Sequence, residues 1–204
     1  MEVKDMIEKI SELFHRYGIK SVTMDDVARE LSISKKTLYE QFEDKSGLIR
    51  IVIEHEFSCQ KKKFNLEDLH PNNALEEVFL IFKHYSQMLK EQYPSFEFDL
   101  KKYYPEIYAD LKTERRKRML HNTLENIVRG KEEGLYRSDL HEQIIAKLNV
   151  LRIECLIDSD LFSNEELFSQ EFALEMFLYH LHGIVSEKGS KFLEQHIQEL
   201  KNIG

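Results

Sequence analysis

The chain has 204 residues, 42% hydrophobic and 32% charged, which excludes a disordered polymer and allows a packed core. Seven Gly and three Pro leave few breakers, and no apolar run reaches the roughly 18 residues of a membrane-spanning helix. The net charge of −8 is uneven: residues 1–63 hold 12 Lys+Arg against 12 Asp+Glu, and the remaining 17 and 25 follow them.

An acidic body behind a neutral N-terminal part would repel phosphate and confine nucleic acid to one end. The opening MEVKDMIEKI carries acids and no apolar core, so no signal peptide is expected. Cys59 and Cys155 are isolated, which fits a reduced, cytoplasmic protein.

A first helix is predicted over about Val3–Tyr17, with Ile7, Ile10, Phe14 and Tyr17 on one stripe and Gly18 as its C′ residue. Thr23 is a good N-cap, and Asp26 three residues on completes a capping box. A short helix from Met24 to Leu31 buries Val27, Ala28 and Leu31. Ser32-Ile33-Ser34 forms a turn, and Ser34 caps a third helix, Lys35 to Phe42, anchored by Leu38 and Phe42. Asp44 caps a long linking helix over about 45–64, with Leu48, Ile49, Val52 and Ile53 inside.

Pro71-Asn72-Asn73 is the clearest break. Helices follow at about Ala74–Glu91, Ser95–Lys102, Pro105–Glu132, Asp139–Ser159 and Glu166–Glu187, with a last one at Lys188–Lys201 that could continue its predecessor. Gly130 and Gly134 close the longest helix, and Asp139 with Glu142 makes another capping box. The fold class is therefore all-α: a helix-turn-helix domain over residues 1–48 (motif about 23–42), then a larger helical bundle over 65–204.

Two short helices joined by a three-residue turn have the layout of a helix-turn-helix that enters a DNA groove. The third helix must then present polar side chains outward. Lys36 suits guanine edges or phosphate, Thr37 a thymine methyl, and Gln41 adenine, while Tyr39 could reach a phosphate. Thr23 and Lys45 sit at helix N-termini, where free N–H groups attract phosphate. Ser34 and Lys35 complete the candidate DNA-binding set.

The pattern Gly18…Thr23-x-x-x-Val27-Ala28…Ile33-Ser34-x-x-Thr37-Leu38-Tyr39-x-x-Phe42-x-x-Lys45-x-x-Leu48 resembles the TetR (tetracycline-repressor-like) family of bacterial regulators over about 45 residues. Gly130–Asp139, GKEEGLYRSD, is a looser echo of the turn before that family's late dimer-forming helices. The resemblance implies a homodimeric repressor that binds a near-palindromic double-stranded operator and is released by an unknown small-molecule effector. In such proteins the residues matching Thr23, Thr37, Tyr39 and Lys45 bind DNA. Two positions depart from the pattern: Ser32 stands where Gly is common and is expected to strain the turn, and Lys36 stands where a small residue is common.

Aromatics crowd residues 79–108; most are core, but Phe82, Tyr85, Phe96, Tyr103, Tyr104 and Tyr108, with Leu124 and Arg152, are candidates to line an effector pocket. Leu148, Leu151 and Cys155 on one late helix, with Phe172, Met176, Tyr179, His180, Gly183 and Ile184 on the next, are candidates for a dimer face. The run Arg115–Arg118 sweeps about 300° of helix surface and so makes no basic stripe. Lys61–Lys63 suits a helix C-terminus. His180 and His182 point apart, and His55 with Cys59 lacks a third ligand, so neither a metal nor any other cofactor is expected. An all-helical enzyme or a protein-binding adaptor is the alternative. It finds no phosphate loop, nucleophile elbow or zinc signature here.

Overall fold

The computed structural model describes residues 3–63, 69–91, 94–157, 161–167 and 169–201, except the side chains of 57–63, 85, 88–91, 94, 95, 97, 155–157, 164, 200 and 201. Eleven α-helices follow one another among them: α1 Val3–Tyr17, α2 Met24–Glu30, α3 Lys35–Gln41, α4 Lys45–Lys63, α5 Ala74–Glu91, α6 Pro94–Tyr103, α7 Pro105–Glu132, α8 Glu142–Ile157, α9 Asn164–Leu167, α10 Gln170–Ile184 and α11 Glu187–Lys201. Among the described residues no helix is long and apolar enough to cross a membrane.

Packing divides the chain into two units, Met1–Asn65 with Tyr93–Thr113, and Leu66–Gln92 with Glu114–Gly204. The boundary expected near residue 64 therefore omits a segment, because residues 94–113 pack with the N-terminal helices. Leu100, Ile107 and Leu111 enter the core of unit 1, and Phe96, Tyr104 and Tyr108 lie against it. Steps of four and seven residues put Leu100, Tyr104, Ile107 and Leu111 on one face. The ladder also continues across the Pro105 junction, where Tyr108 N–H donates to Tyr104 C=O at 3.0 Å.

In unit 1, α1 buries Met6, Ile7, Ile10, Leu13 and Phe14. Tyr17, expected on that stripe, is instead 58% exposed. Gly18 takes φ +81°, and a Cβ there would meet Asp99 Oδ2 at 2.9 Å. The stripe of α4 is as expected, with Leu48, Ile49, Val52 and Ile53 buried.

In unit 2, α7 ends in a Schellman motif. Leu135 N–H donates to Gly130 C=O at 2.9 Å and Gly134 N–H to Lys131 C=O at 3.0 Å, with Gly134 at φ +69°. The buried Tyr136 then lies on Gly130, and its hydroxyl donates to Asn126 Oδ1 at 2.9 Å while Asn126 Nδ2 donates to Ala74 C=O at 2.9 Å.

Three boundaries differ from expectation. The helix expected from Asp139 begins at Glu142, because Leu140 turns into the core first. Asp139 does not cap it but lies 3.7 Å from the Arg137 guanidinium, and Glu142 takes up Lys131 instead of a cap N–H. The span expected as Glu166–Glu187 is split: α10 starts after Ser169, whose hydroxyl accepts from Phe172 N–H. The last helix is also separate. Arg137 N–H donates to Ile184 C=O and Ser186 N–H to Leu135 C=O, both at 2.9 Å, which draws the backbone out of helix at Val185. The Ser186 hydroxyl then caps α11 by accepting from Gly189 N–H at 3.1 Å.

Candidate nucleic-acid interface

The α2–α3 pair is held by local chemistry. Thr23 Oγ1 accepts from Asp26 N–H at 3.2 Å, and Asp26 Oδ2 accepts from Thr23 N–H at 2.9 Å, so the capping box is complete. The Thr23 hydroxyl also donates to Asp26 Oδ2 at 2.6 Å, and these bonds hold the Asp26 carboxyl below the usual carboxylate range. After α2 the turn is a second Schellman motif: Ile33 N–H donates to Ala28 C=O at 3.0 Å and Ser32 N–H to Arg29 C=O at 3.1 Å. Its C′ residue is Ser32, at φ +55°.

A left-handed Cβ residue costs about 1–2 kcal/mol. Ser32→Gly is therefore expected to raise the stability of unit 1 by about 1 kcal/mol. Urea denaturation would read this as a higher midpoint at constant slope; an unchanged or lower midpoint would contradict it.

Ser34 Oγ accepts from Thr37 N–H at 3.0 Å and lies 2.8 Å from the Thr37 hydroxyl. Behind α3, Leu38 is fully buried and Phe42 nearly so, each contributing about 2–3 kcal/mol of apolar burial. The opposite side is open, with Lys36, Thr37, Tyr39, Glu40 and Gln41 all exposed. Lys35 points back to Asp25 of α2 at 2.5 Å, and Arg29 pairs with Asp26 at 3.2 Å. Among the described residues of α2 and α3, this leaves Lys36 as the cation without a carboxylate partner.

Lys45 is placed differently from expectation. Its ammonium donates to Lys20 C=O at 3.3 Å and lies 5.9 Å from the centre of the Tyr104 ring. Burial holds it below the ordinary lysine value, partly offset by Asp99 and Asp26. Asp99 also accepts from Lys20 N–H at 2.9 Å, and Lys20 Nζ donates to the Tyr103 hydroxyl at 3.0 Å. Sequence reasoning missed Lys20 and Asp99; 79 residues separate them and no motif joins them. Asp44 caps α4 as expected, accepting from Gly47 N–H at 2.7 Å.

Residues 7–52, from within α1 to within α4, match the family of bacterial regulatory proteins called tetR. Over this N-terminal part the chain is similar to regulators of the TetR family. An HTH-type transcriptional regulator of Staphylococcus aureus (strain USA300) is 34% identical over 82 residues, 39% of this chain and 44% of that protein. The match thus spans less than half the length of this curated relative. Among solved structures, the SmeT–triclosan complex is 13% identical with a TM-score of 0.65, covering 89% of this chain and 90% of that one. AibR in complex with isovaleryl coenzyme A and operator DNA is 13% identical with a TM-score of 0.56, covering 85% of this chain and 96% of that one. At such identities the likeness is one of fold.

The eight pocket candidates fall to different units. Phe96, Tyr103, Tyr104 and Tyr108 belong to unit 1, whereas Phe82, Leu124 and Arg152 belong to unit 2. Phe82 stacks on Phe177 at 4.4 Å, and Arg152 donates to Met176 C=O at 2.5 Å and to Asn149 Oδ1 at 2.7 Å. The side chains of Tyr85, Cys59, Cys155 and residues 61–63 lie outside the described residues, as does Tyr93.

Of the dimer candidates, Leu148, Leu151 and Tyr179 are more than half exposed, joined by Ile144 on the same face of α8. Gly183 is exposed, with nothing within 4 Å of an added Cβ. Phe172, Met176 and His180 are half-buried. Ile184 corrects the expectation: it is 4% exposed and belongs to the core of unit 2, because the chain bends inward there to meet Leu135–Arg137. Among the described residues no group of three His, Cys, Asp or Glu could hold a metal ion.

Burial, aided by the charge of Arg152, pushes the His180 imidazole from 6.5 down to about 4. Above pH 6.5 it is neutral whether folded or unfolded. As pH falls from 6.5 to about 4, only the unfolded chain takes up the proton, so unit 2 loses stability across that window. His180→Gln is expected to flatten this acid limb in urea midpoints taken at fixed protein concentration. Parallel limbs for wild type and variant would refute the assignment.

Proposed function

We propose that this chain is a homodimeric, DNA-binding transcription regulator of the repressor type, released from a near-palindromic operator by a small molecule. One observation carries the reading: α3 is anchored by Leu38 and Phe42 and turns a polar face, with Lys36, Tyr39 and Gln41, to solvent. Lys36, Thr37 and Gln41 meet base edges or phosphate, and Tyr39 a phosphate. Ser34 and Thr23 set the two helix N-termini rather than donate outward. Lys35 and Lys45 lie at the rim, each already engaged within the chain.

The exposed apolar residues Ile144, Leu148, Leu151 and Tyr179, with Gly183, form the face of a second copy. Two-fold pairing would set two α3 helices about 34–36 Å apart, one turn of duplex. The effector binds in unit 2 and shifts the population toward a state whose heads miss that spacing, with α4 as the lever. The complexes of AibR with isovaleryl coenzyme A and operator DNA, and of SmeT with triclosan, support this class of switch. Such a regulator acts in the cytoplasm and has no enzymatic step.

Fluorescence anisotropy with the DNA upstream of the chain's own gene tests the reading. Binding is expected, with log K falling linearly against log salt. Solution mass would read two copies. A chain that ignores this DNA at low salt, or stays single at micromolar concentration, would refute the corresponding part.

A further inference from the structure

Leu38 and Phe42 fix the inward direction of α3. At about 100° per residue, the outward direction then falls on Glu40, with Lys36 about 40° away and Thr37 about 60° away. Tyr39 and Gln41 lie to the sides, about 100° away. The side chain aimed most directly at a groove is therefore an acid. It is exposed, and although Lys36 stands four residues before it, no ion pair joins the two among the described residues. By contrast Asp25 and Asp26 on α2 are matched by Lys35 and Arg29.

A bare carboxylate between two phosphate ridges opposes docking unless a donor meets it. In the major groove guanine offers N7 and O6, adenine N7 beside its amino group, and thymine O4; each of these acceptors repels a carboxylate. Cytosine is the base whose own major-groove edge carries a donor, the N4 amino group, and no acceptor. We infer that Glu40 is a specificity-determining residue that selects cytosine through its N4 amino group, working with Lys36, which selects guanine. Four residues of helix span about 6 Å, so the two bases stand about two base-pair steps apart in each half-site. This rests on the DNA-binding reading above.

Binding-site selection from randomised duplexes, using the full chain as wild type, Glu40→Gln and Lys36→Ala, tests it. Wild type is expected to prefer cytosine at one position per half-site by about tenfold or more. Glu40→Gln is expected to move that preference to adenine, whose N6 and N7 match a carboxamide. Lys36→Ala is expected to lose the guanine and keep the cytosine. If Glu40→Gln selects the wild-type motif and binds every site uniformly more tightly, the carboxylate only repels phosphate and the inference is overturned. If it selects the wild-type motif at unchanged affinity, Glu40 is a solvated bystander and the inference is equally overturned. A wild-type chain that enriches no motif would instead sink the DNA-binding reading itself, and this inference with it.

Discussion

Replacing Gly130 with alanine is expected to destabilise unit 2 by about 3–5 kcal/mol. A Cβ there would lie 2.1 Å from Tyr136 Cδ2 and 2.3 Å from Cε2. A flexible side chain could swing aside, but this ring cannot. It is buried, and its hydroxyl is bonded to Asn126, which in turn holds the Ala74 carbonyl. Moving the ring leaves Asn126 without its donor; moving α7 opens the Schellman turn that depends on the Gly130 carbonyl. Either response adds the loss of a buried hydrogen bond to the steric cost. Urea denaturation would read a large drop in midpoint. Tyr136→Leu, itself destabilising, should cost far less when added to Gly130→Ala, because the two residues share one contact. An unchanged midpoint for Gly130→Ala, or strict additivity, would contradict the packing.

The second large effect concerns the open face of α3. If Tyr39 reaches phosphate in both half-sites, Tyr39→Phe removes two charge-assisted hydrogen bonds at about 1.5 kcal/mol each, a loss of roughly 100-fold in affinity. Lys36→Ala should lose at least as much, since each site loses a cation contact. Its effect on the salt slope would tell base from phosphate: a phosphate contact in each half-site lowers the slope by about two, whereas a base contact lowers it less. Lys45→Ala should differ from both. Its ammonium is spent on Lys20 C=O and the neighbourhood of Asp99, so binding is expected to stay within about threefold while unit 1 loses stability. If Lys45→Ala matches Tyr39→Phe in lost affinity, Lys45 swings outward to the duplex.

Much of unit 1 was legible in the sequence because its determinants are local. Thr23 with Asp26, Ser34, Gly18 and Asp44 each act within a few residues of themselves, and their roles follow from side-chain chemistry. The stripe of α4 repeats at helical steps, so it too could be read. What could not be read depends on distant partners. Residues 94–113 join unit 1 through Leu100, Ile107 and the Asp99–Lys20 bond, and aromatic density between residues 79 and 108 does not reveal which of two cores each ring serves. The break at Val185 is set by pairing with Leu135–Arg137, about fifty residues earlier, so an unbroken apolar period misled. Ile184 follows the same period as its exposed neighbours yet turns inward for that reason. On α3 the outward candidates could be named from the sequence, but which cations are already matched by acids could not, because Lys35 and Asp25 meet across a turn.

That matching bears on how such a protein would search a chromosome. Generic adhesion to duplex scales with loose positive charge, and here Lys35 and Arg29 are matched by acids while Lys45 is turned inward. If α3 docks as proposed, a head of this kind would grip random sequence weakly. Its occupancy of the correct site would then depend more on how well hydrogen-bonding edges fit than on loose positive charge.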